Sequence, residues 1–208
     1  MKGLLLKDWY MTKKYCRYYL FLIIGFIILS MMSSGNMFFV FYPCVLCGMI
    51  PVNLLGYDER SRFTEYAGTL PYTKTQIVSA KYLIGLFTQG AVLIVICVTQ
   101  GVKMGIDGTF VLKELLVLIM LLLITASVAS SLILPFIFKY GVEKGRVAYY
   151  VMIGVMCAVS IIASNLLSKG FQADIKLNGI LPIICIIGIV IYALSWYLSI
   201  VFYKKREI

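Results

Sequence analysis

Six long apolar runs divide this chain, and they constrain its fold more than any other feature. They lie at 18–32, 37–55, 82–101, 115–137, 147–167 and 179–202. A helix needs about 17–25 apolar residues to cross the hydrocarbon layer of a bilayer, and each run is close to or within that length. The chain is 62% hydrophobic, and the segments between the runs are too short for a soluble domain. The sequence therefore predicts an all-α integral membrane protein with six transmembrane helices, forming one domain over residues 1–208.

The distribution of cations predicts the orientation of these spans. Fifteen of the 19 Lys and Arg residues fall at the two termini and in the connectors that share their side of the membrane. The other four are Lys103, Lys113, Lys169 and Lys176. Short loops rich in Lys and Arg remain in the cytoplasm, so both termini are predicted to be cytoplasmic. The net charge of +10 is then explained by topology and by contact with anionic lipid, and not by nucleic-acid binding.

Several classes of membrane protein are disfavoured by what the sequence lacks. Ionisable residues are predicted only at span ends and in connectors, with Lys81 and Glu114 at the margins, whereas secondary transporters usually bury such residues as relays. The chain has no His, and no second cysteine pair that could complete a zinc site with Cys44 and Cys47. It also lacks a GxxxxGK[ST] phosphate loop. We therefore predict a chain that is not an enzyme and holds no cofactor or metal.

The connector at 56–80 is unlike the others because it carries the pattern of an amphipathic helix. Its apolar residues recur at i, i+3, i+4 and i+7, the spacing of one helix face. They are Phe63, Tyr66, Ala67 and Leu70. The opposite side carries Asp58, Arg62 and Glu65 at spacings that permit ion pairs. The segment either lies in the membrane interface or docks a soluble partner, and its mixed charge favours docking because lipid-surface helices mainly carry Lys and Arg.

Local signals also predict where helices begin and end around this connector. Gly68 and Pro71 end the amphipathic element. Thr73 and Gln76 form a capping box that begins the helix leading into the third span.

A further helix is predicted at residues 1–17, before the first span. Leu5, Trp9 and Cys16 share one stripe of this helix, and Lys7 and Lys14 share another. We interpret the segment as an interfacial elbow helix that sets the tilt of the first span. A basic juxtamembrane anchor without a fixed helix is the alternative.

These features together resemble a known family. The chain begins MKGLLLKDW, is predicted to have six spans, has no ATP site, and carries in its connector DERSRFTEYAGTLPYTKTQIVSAKYL. It resembles the type-2 permease subunits of bacterial ATP-binding-cassette (ABC) exporters. More narrowly, it is similar to the small permeases that export phenol-soluble modulins and related cytolytic peptides. The connector is the specific part of the match, with its acidic start, its aromatic residues Phe63 and Tyr66, and Lys74 after Leu70-Pro71.

The resemblance implies a half-transporter in the bacterial cell membrane. Two six-span subunits, identical or homologous, would form the pathway, and two separate cytoplasmic ATPase subunits would bind ATP and Mg. The short helix between spans two and three would be the coupling helix that contacts the ATPase. The residues implied at that contact are Asp58, Glu59, Arg60, Arg62, Phe63, Glu65 and Tyr66.

The nature of the cargo is predicted from the spans and the short outward connectors. Spans without fixed charge suit a hydrophobic or amphipathic passenger better than an ion or a sugar. Among exporter cargoes this favours an amphipathic antimicrobial or modulin-like peptide, with a drug or lipid as the alternative. A function of another class is also open: a membrane scaffold that uses the inner helix to hold a cytoplasmic protein and transports nothing.

Overall fold

The computed structural model describes residues 1–32, 37–67, 69–108, 111–145, 147, 151 and 177–205, and it excludes the side chains of 64, 129 and 177–182. Every regular element in these ranges is a helix, which confirms the all-α class. The longer helices are α1 (Lys2–Tyr15), α2 (Arg17–Met32), α3 (Phe38–Arg60), α5 (Lys74–Ile106), α6 (Leu112–Tyr140) and α7 (Leu177–Lys205). A short helix, α4 (Phe63–Ala67), lies in the connector between α3 and α5.

Four of these helices are long and apolar enough to cross a membrane: α3, α5, α6 and the Ile183–Lys205 part of α7. Helices α1 and α2 pass the same test as a pair bent by 69°, which gives a fifth candidate. The predicted span at 147–167 falls outside the described residues, apart from 147 and 151. Four or five of the six predicted spans are therefore supported, and the total of six stays a prediction.

The N-terminal helix α1 packs on the bundle through a different stripe from the predicted one. Its buried residues are Leu4, Asp8 and Thr12, and Cys16 continues this i, i+4 series at the bend before α2. This polar and partly charged stripe faces the bundle because Asp8 forms an ion pair with Lys81 of α5. The predicted stripe lies beside this one, with Leu5 half-buried, Trp9 44% exposed and Cys16 buried. An interfacial position for α1 stays a prediction.

The capping box predicted at the start of α5 is confirmed. The Thr73 hydroxyl accepts a hydrogen bond from the Gln76 amide at 3.3 Å, and Gln76 Oε1 accepts one from the Thr73 amide at 3.2 Å. Each side chain thus satisfies a backbone donor that the first turn of a helix leaves unpaired. Helix α5 then runs for 33 residues and carries Lys81 two turns beyond its start.

A polar contact joins α5 to α7 inside the bundle. Tyr82 is fully buried, and its hydroxyl lies 2.8 Å from Ser195 Oγ and 2.6 Å from Ser199 Oγ. Ser195 uses its own hydrogen to bond the Ser131 carbonyl of α6. The Tyr82 hydroxyl therefore donates to Ser195 and accepts from Ser199. The Trp196 ring stacks on Tyr82 at 5.4 Å, so one residue of α5 holds α7 by both polar and aromatic contact.

We predict that Tyr82→Phe weakens this junction without unpacking it. The ring stack remains, but two interhelical hydrogen bonds are lost, each contributing about 0.6 kcal/mol between membrane helices. We expect the free energy of unfolding to fall by about 1 kcal/mol, measured by denaturation in mixed detergent micelles. Tyr197→Phe, at an exposed position on α7, is the control and should change nothing. An equal loss in the two variants would contradict the assignment.

Candidate functional site

Four charged side chains from three helices meet at the end of the bundle where α4 lies, which we call the connector end. Lys81 Nζ of α5 lies 2.7 Å from Asp8 Oδ1 of α1 and 2.6 Å from Asp58 Oδ2 of α3. Lys7 Nζ of α1 lies 2.7 Å from Asp58 Oδ1 and 3.5 Å from Asp8 Oδ1. Each cation bridges both carboxylates. We call these four residues the charge cluster.

The charge cluster is almost completely removed from solvent. The exposed fractions are 1% for Asp8, 3% for Asp58 and 2% for Lys81, while Lys7 is partly exposed. The four residues lie in the N-terminal segment, in the connector and at a span margin, as predicted, but the prediction that no ionisable residue is buried is wrong. Burial of an ion costs several kcal/mol, which only close partners of opposite charge offset. Two cations and two anions satisfy that requirement, so α1, α3 and α5 are held together at one point.

One atom of the charge cluster has no polar contact. Asp8 Oδ2 is buried and has no hydrogen-bond partner among the residues that the structure describes. The negative charge of Asp8 is thus compensated only through contacts of Oδ1, which are made with Lys81 and Lys7. This dependence makes Lys81 the residue whose loss leaves the most charge uncompensated.

The connector helix α4 is attached to the charge cluster through Phe63. Lys7 Nζ lies 3.3 Å from the centroid of the Phe63 ring, a cation–π contact made by the same ammonium that binds Asp58. Phe63 is partly buried, and Ala67 at the end of α4 is buried in the apolar core beside Leu4 and Ile77. The two ends of α4 are thus both fastened to the bundle.

The predicted apolar face of the connector is only partly correct. Phe63 and Ala67 face the core, but Tyr66 is 60% exposed, and α4 ends at Ala67, before Leu70. The Tyr66 ring lies 6.4 Å from the Phe63 ring but on the exposed side of the pair, while Phe63 packs against the core. Arg62 separates α3 from α4 with a left-handed φ of +52°, which turns the chain between the two helices.

The structure brings together only some of the residues implied at the ATPase contact. Those on the surface are Glu59, Arg60, Arg62, Glu65 and Tyr66. Asp58 points inward and pairs with Lys7 and Lys81, not with Arg62 as its spacing predicted. Phe63 lies between the surface and the core. Glu59 Oε2 accepts a hydrogen bond from the Val142 amide at 3.0 Å, which links the end of α3 to the segment after α6.

Sequence reasoning missed the contribution of Lys7, Asp8 and Lys81. From the sequence, both lysines count toward the cytoplasmic charge, Lys7 lies on a stripe with Lys14, Lys81 lies at a span margin, and no buried partner is predicted for either. The available signal was the i, i+4 series of Leu4, Asp8, Thr12 and Cys16, whose one acidic member needs a buried cation if the stripe packs inward. Lys81, two turns inside α5, is the matching cation.

Comparison with known proteins decides the family. The family described as ABC-2 family transporter protein matches residues 3–204. The chain belongs to this family. No curated protein and no solved structure matches it.

Family membership confirms the coarser part of the resemblance. This ABC-2 permease is a multi-pass membrane component of an ABC transporter. The permeases of this family are transport components and are not themselves catalytic. They work with an ATPase subunit. Similarity to exporters of cytolytic peptides stays a prediction.

We predict that Lys81→Met destabilises the permease strongly. The substitution leaves Asp8 and Asp58 buried with Lys7 as their remaining partner, and removal of one member of a buried ion pair costs about 3–5 kcal/mol. The free energy of unfolding in mixed micelles measures the effect. Lys13→Met, on the exposed side of α1, is the control and should cost less than about 0.5 kcal/mol. Addition of Asp8→Asn to Lys81→Met should recover part of the loss, and no recovery would contradict the pairing.

Proposed function

We propose that this permease is the membrane subunit of an ATP-driven exporter. Two copies, or one copy and a homologue, form the pathway in the bacterial cell membrane. Two ATPase subunits, which bind ATP and Mg, dock in the cytoplasm at the connector end. The observation that carries the proposal is the attachment of α4, which has an exposed face for a partner and an inner face fastened to the bundle.

The contacts of α4 support a role in transmitting force. A partner that presses on Tyr66 or Glu65 acts on a helix whose Phe63 ring is held by Lys7 and whose Ala67 is packed in the core. Lys7 passes the displacement to Asp58, and Lys81 passes it to α5. A rigid, doubly fastened element transmits displacement, whereas a free loop would absorb it. In this proposal Asp58 positions the connector, and the other residues implied by the family resemblance contact the ATPase subunit.

The polar residues of the described spans support an amphipathic or apolar cargo. Away from the connector end, the buried polar side chains of the described residues are uncharged: Ser30, Thr88, Gln89, Gln100, Ser130, Ser131, Ser195 and Ser199. Gln89 illustrates how they are used, because its amide bonds the Ala126 carbonyl and Ser130 Oγ of α6. Such groups offer no fixed charge to an ion. We propose an amphipathic peptide of the modulin type as cargo, with a drug or lipid as the alternative.

We predict that Tyr66→Ala and Phe63→Ala act at different steps. Tyr66→Ala removes an exposed anchor and should lower the affinity for the ATPase, because exposed aromatic residues often dominate small interfaces. Phe63→Ala should leave insertion and ATP hydrolysis intact but uncouple hydrolysis from export. Both are measured in liposomes containing the permease, its ATPase and an amphipathic peptide. Tyr10→Ala, also exposed, is the control. Normal export by Phe63→Ala would contradict the coupling role. No effect of the permease on hydrolysis would favour a scaffold.

We also predict the orientation. In a variant whose native cysteines are replaced by alanine, Glu65→Cys should react with a membrane-impermeant maleimide only from the cytoplasmic side. Asp107→Cys, at the opposite end of α5, should react only from outside. Labelling of residue 65 from the outside alone would overturn both the orientation and the docking of the ATPase at α4.

A further inference from the structure

Helix α6 contains a proline close to its end at the connector end of the bundle. Pro135 has no backbone N–H, so the carbonyl four residues earlier, that of Ser131, loses its partner within the helix. We call this gap in the backbone hydrogen bonds the α6 break. A carbonyl that is freed inside a bilayer is costly unless a neighbouring group bonds it. The structure of α6 therefore requires a donor from outside the helix.

Ser195 of α7 provides that donor. Its hydroxyl oxygen lies 2.5 Å from the Ser131 carbonyl oxygen, and both serine side chains are buried. The Ser195 hydroxyl hydrogen is used in this bond, while the Tyr82 hydroxyl of α5 donates to Ser195 Oγ. A side chain of α7 thus takes the place of a backbone N–H that Pro135 cannot provide.

Helix α7 also contacts α6 on the other side of the break. The ring of Tyr203 packs edge-on against the ring of Phe138, with 5.6 Å between the centroids, and both residues are buried. Ser131 and Phe138 are about two helical turns apart on α6, and Ser195 and Tyr203 are about two turns apart on α7. The two contacts therefore have matching separations, and one continuous helix spans the break. We call this pair of contacts the brace.

The part of α6 beyond the break is the part that meets the connector end. Phe138 lies in the same apolar core cluster as Ala67 of α4. The Val142 amide, just past α6, donates to Glu59 Oε2 at the end of α3. A displacement of α3 or α4 therefore reaches this part of α6 first. The stiffness of the break decides how much of the displacement continues into the long part of α6.

We propose that Ser195 is a positioning residue for force transmission, because its hydroxyl fastens the brace across the α6 break. The proposal rests on the proposed function and extends it, since it names the contact through which a displacement at the connector end reaches the long part of α6. Ser195 holds the carbonyl of Ser131 on one side, and Tyr203 holds Phe138 on the other. The two parts of α6 then move as one body.

The bond across the break is tested by a double-mutant cycle in mixed micelles. Pro135→Ala gives α6 the backbone N–H that Ser131 needs, so it removes the need for Ser195. With Pro135 present, Ser195→Ala leaves a buried carbonyl unbonded and should raise the unfolding equilibrium constant about tenfold. In a Pro135→Ala background the same change loses only the contact with Tyr82 and should raise the constant about threefold.

Ser199 offers a matched control, because its side chain bonds the same Tyr82 hydroxyl from the same helix. Ser199→Ala should raise the unfolding constant by the same factor with and without Pro135→Ala. A cost of Ser195→Ala that Pro135→Ala does not reduce would overturn the bond across the break, and so would an equal reduction for Ser199→Ala. If Ser195→Ala alone does not fold, recovery of the fold by Pro135→Ala supports the bond, and no recovery overturns it.

The role in force transmission is tested in liposomes that contain the permease, its ATPase and an amphipathic peptide. Ser195→Ala should leave ATP hydrolysis unchanged and lower the peptide exported per ATP to about a third, the scale of one interhelical hydrogen bond. Addition of Pro135→Ala should restore the ratio, because a continuous α6 needs no brace. Ser199→Ala also lowers stability but should leave the ratio at the wild-type value. This control separates coupling from a general loss of folded permease.

The remaining outcomes are decisive in the same assay. A wild-type ratio of export to hydrolysis in Ser195→Ala would overturn the positioning role. Loss of export in Pro135→Ala alone would also overturn it, since the break would then have to bend during the cycle. If the wild-type permease neither exports peptide nor affects hydrolysis, the proposed function fails, and the role of Ser195 in export fails with it. The double-mutant cycle still shows in that case whether Ser195 bonds across the break.

Discussion

The architecture of the connector end depends on one buried arrangement of four charges. Two lysines and two aspartates would each be expensive to remove from water, and the cost is offset only when all four are present in alternating contact. Such a cluster acts as a geometric constraint more than as a source of stability. It permits one relative position of α1, α3 and α5, because a small shift of any helix would leave a buried ion without its partner.

The connector helix owes its conformation to that constraint. A helix of five residues is not stable in isolation, since nucleation costs more than so few hydrogen bonds return. Here the Lys7 ammonium under Phe63 and the packing of Ala67 supply what local propensity does not. The exposed side of α4 is consequently presented in a defined orientation, which a partner needs if its motion is to reach the spans.

The sequence predicted those parts of the fold that depend on local pattern. Long apolar runs identified the described spans. The Thr73 capping box could be predicted because its two residues are three positions apart, and the structure confirms it. The charge cluster could not be predicted in the same way, since Lys7 lies 51 positions from Asp58 and Lys81 lies 73 from Asp8. Helix spacing assigned Asp58 to a surface with Arg62, but a buried cation from another helix is a stronger partner than an exposed neighbour. The inward stripe of α1 was missed for the same reason, because Asp8 pairs with a cation that is distant in sequence.

The spacing of the charge cluster along the chain also bears on how the protein is made. Translation delivers α1 first, then α3, and only afterwards α5, so both acceptor carboxylates have left the ribosome before the Lys81 ammonium emerges. A lysine two turns inside α5 would hinder the entry of this helix into the lipid if it had no partner. Its two carboxylate partners are synthesised earlier. The order of synthesis thus makes both carboxylate partners of Lys81 before α5 itself is complete.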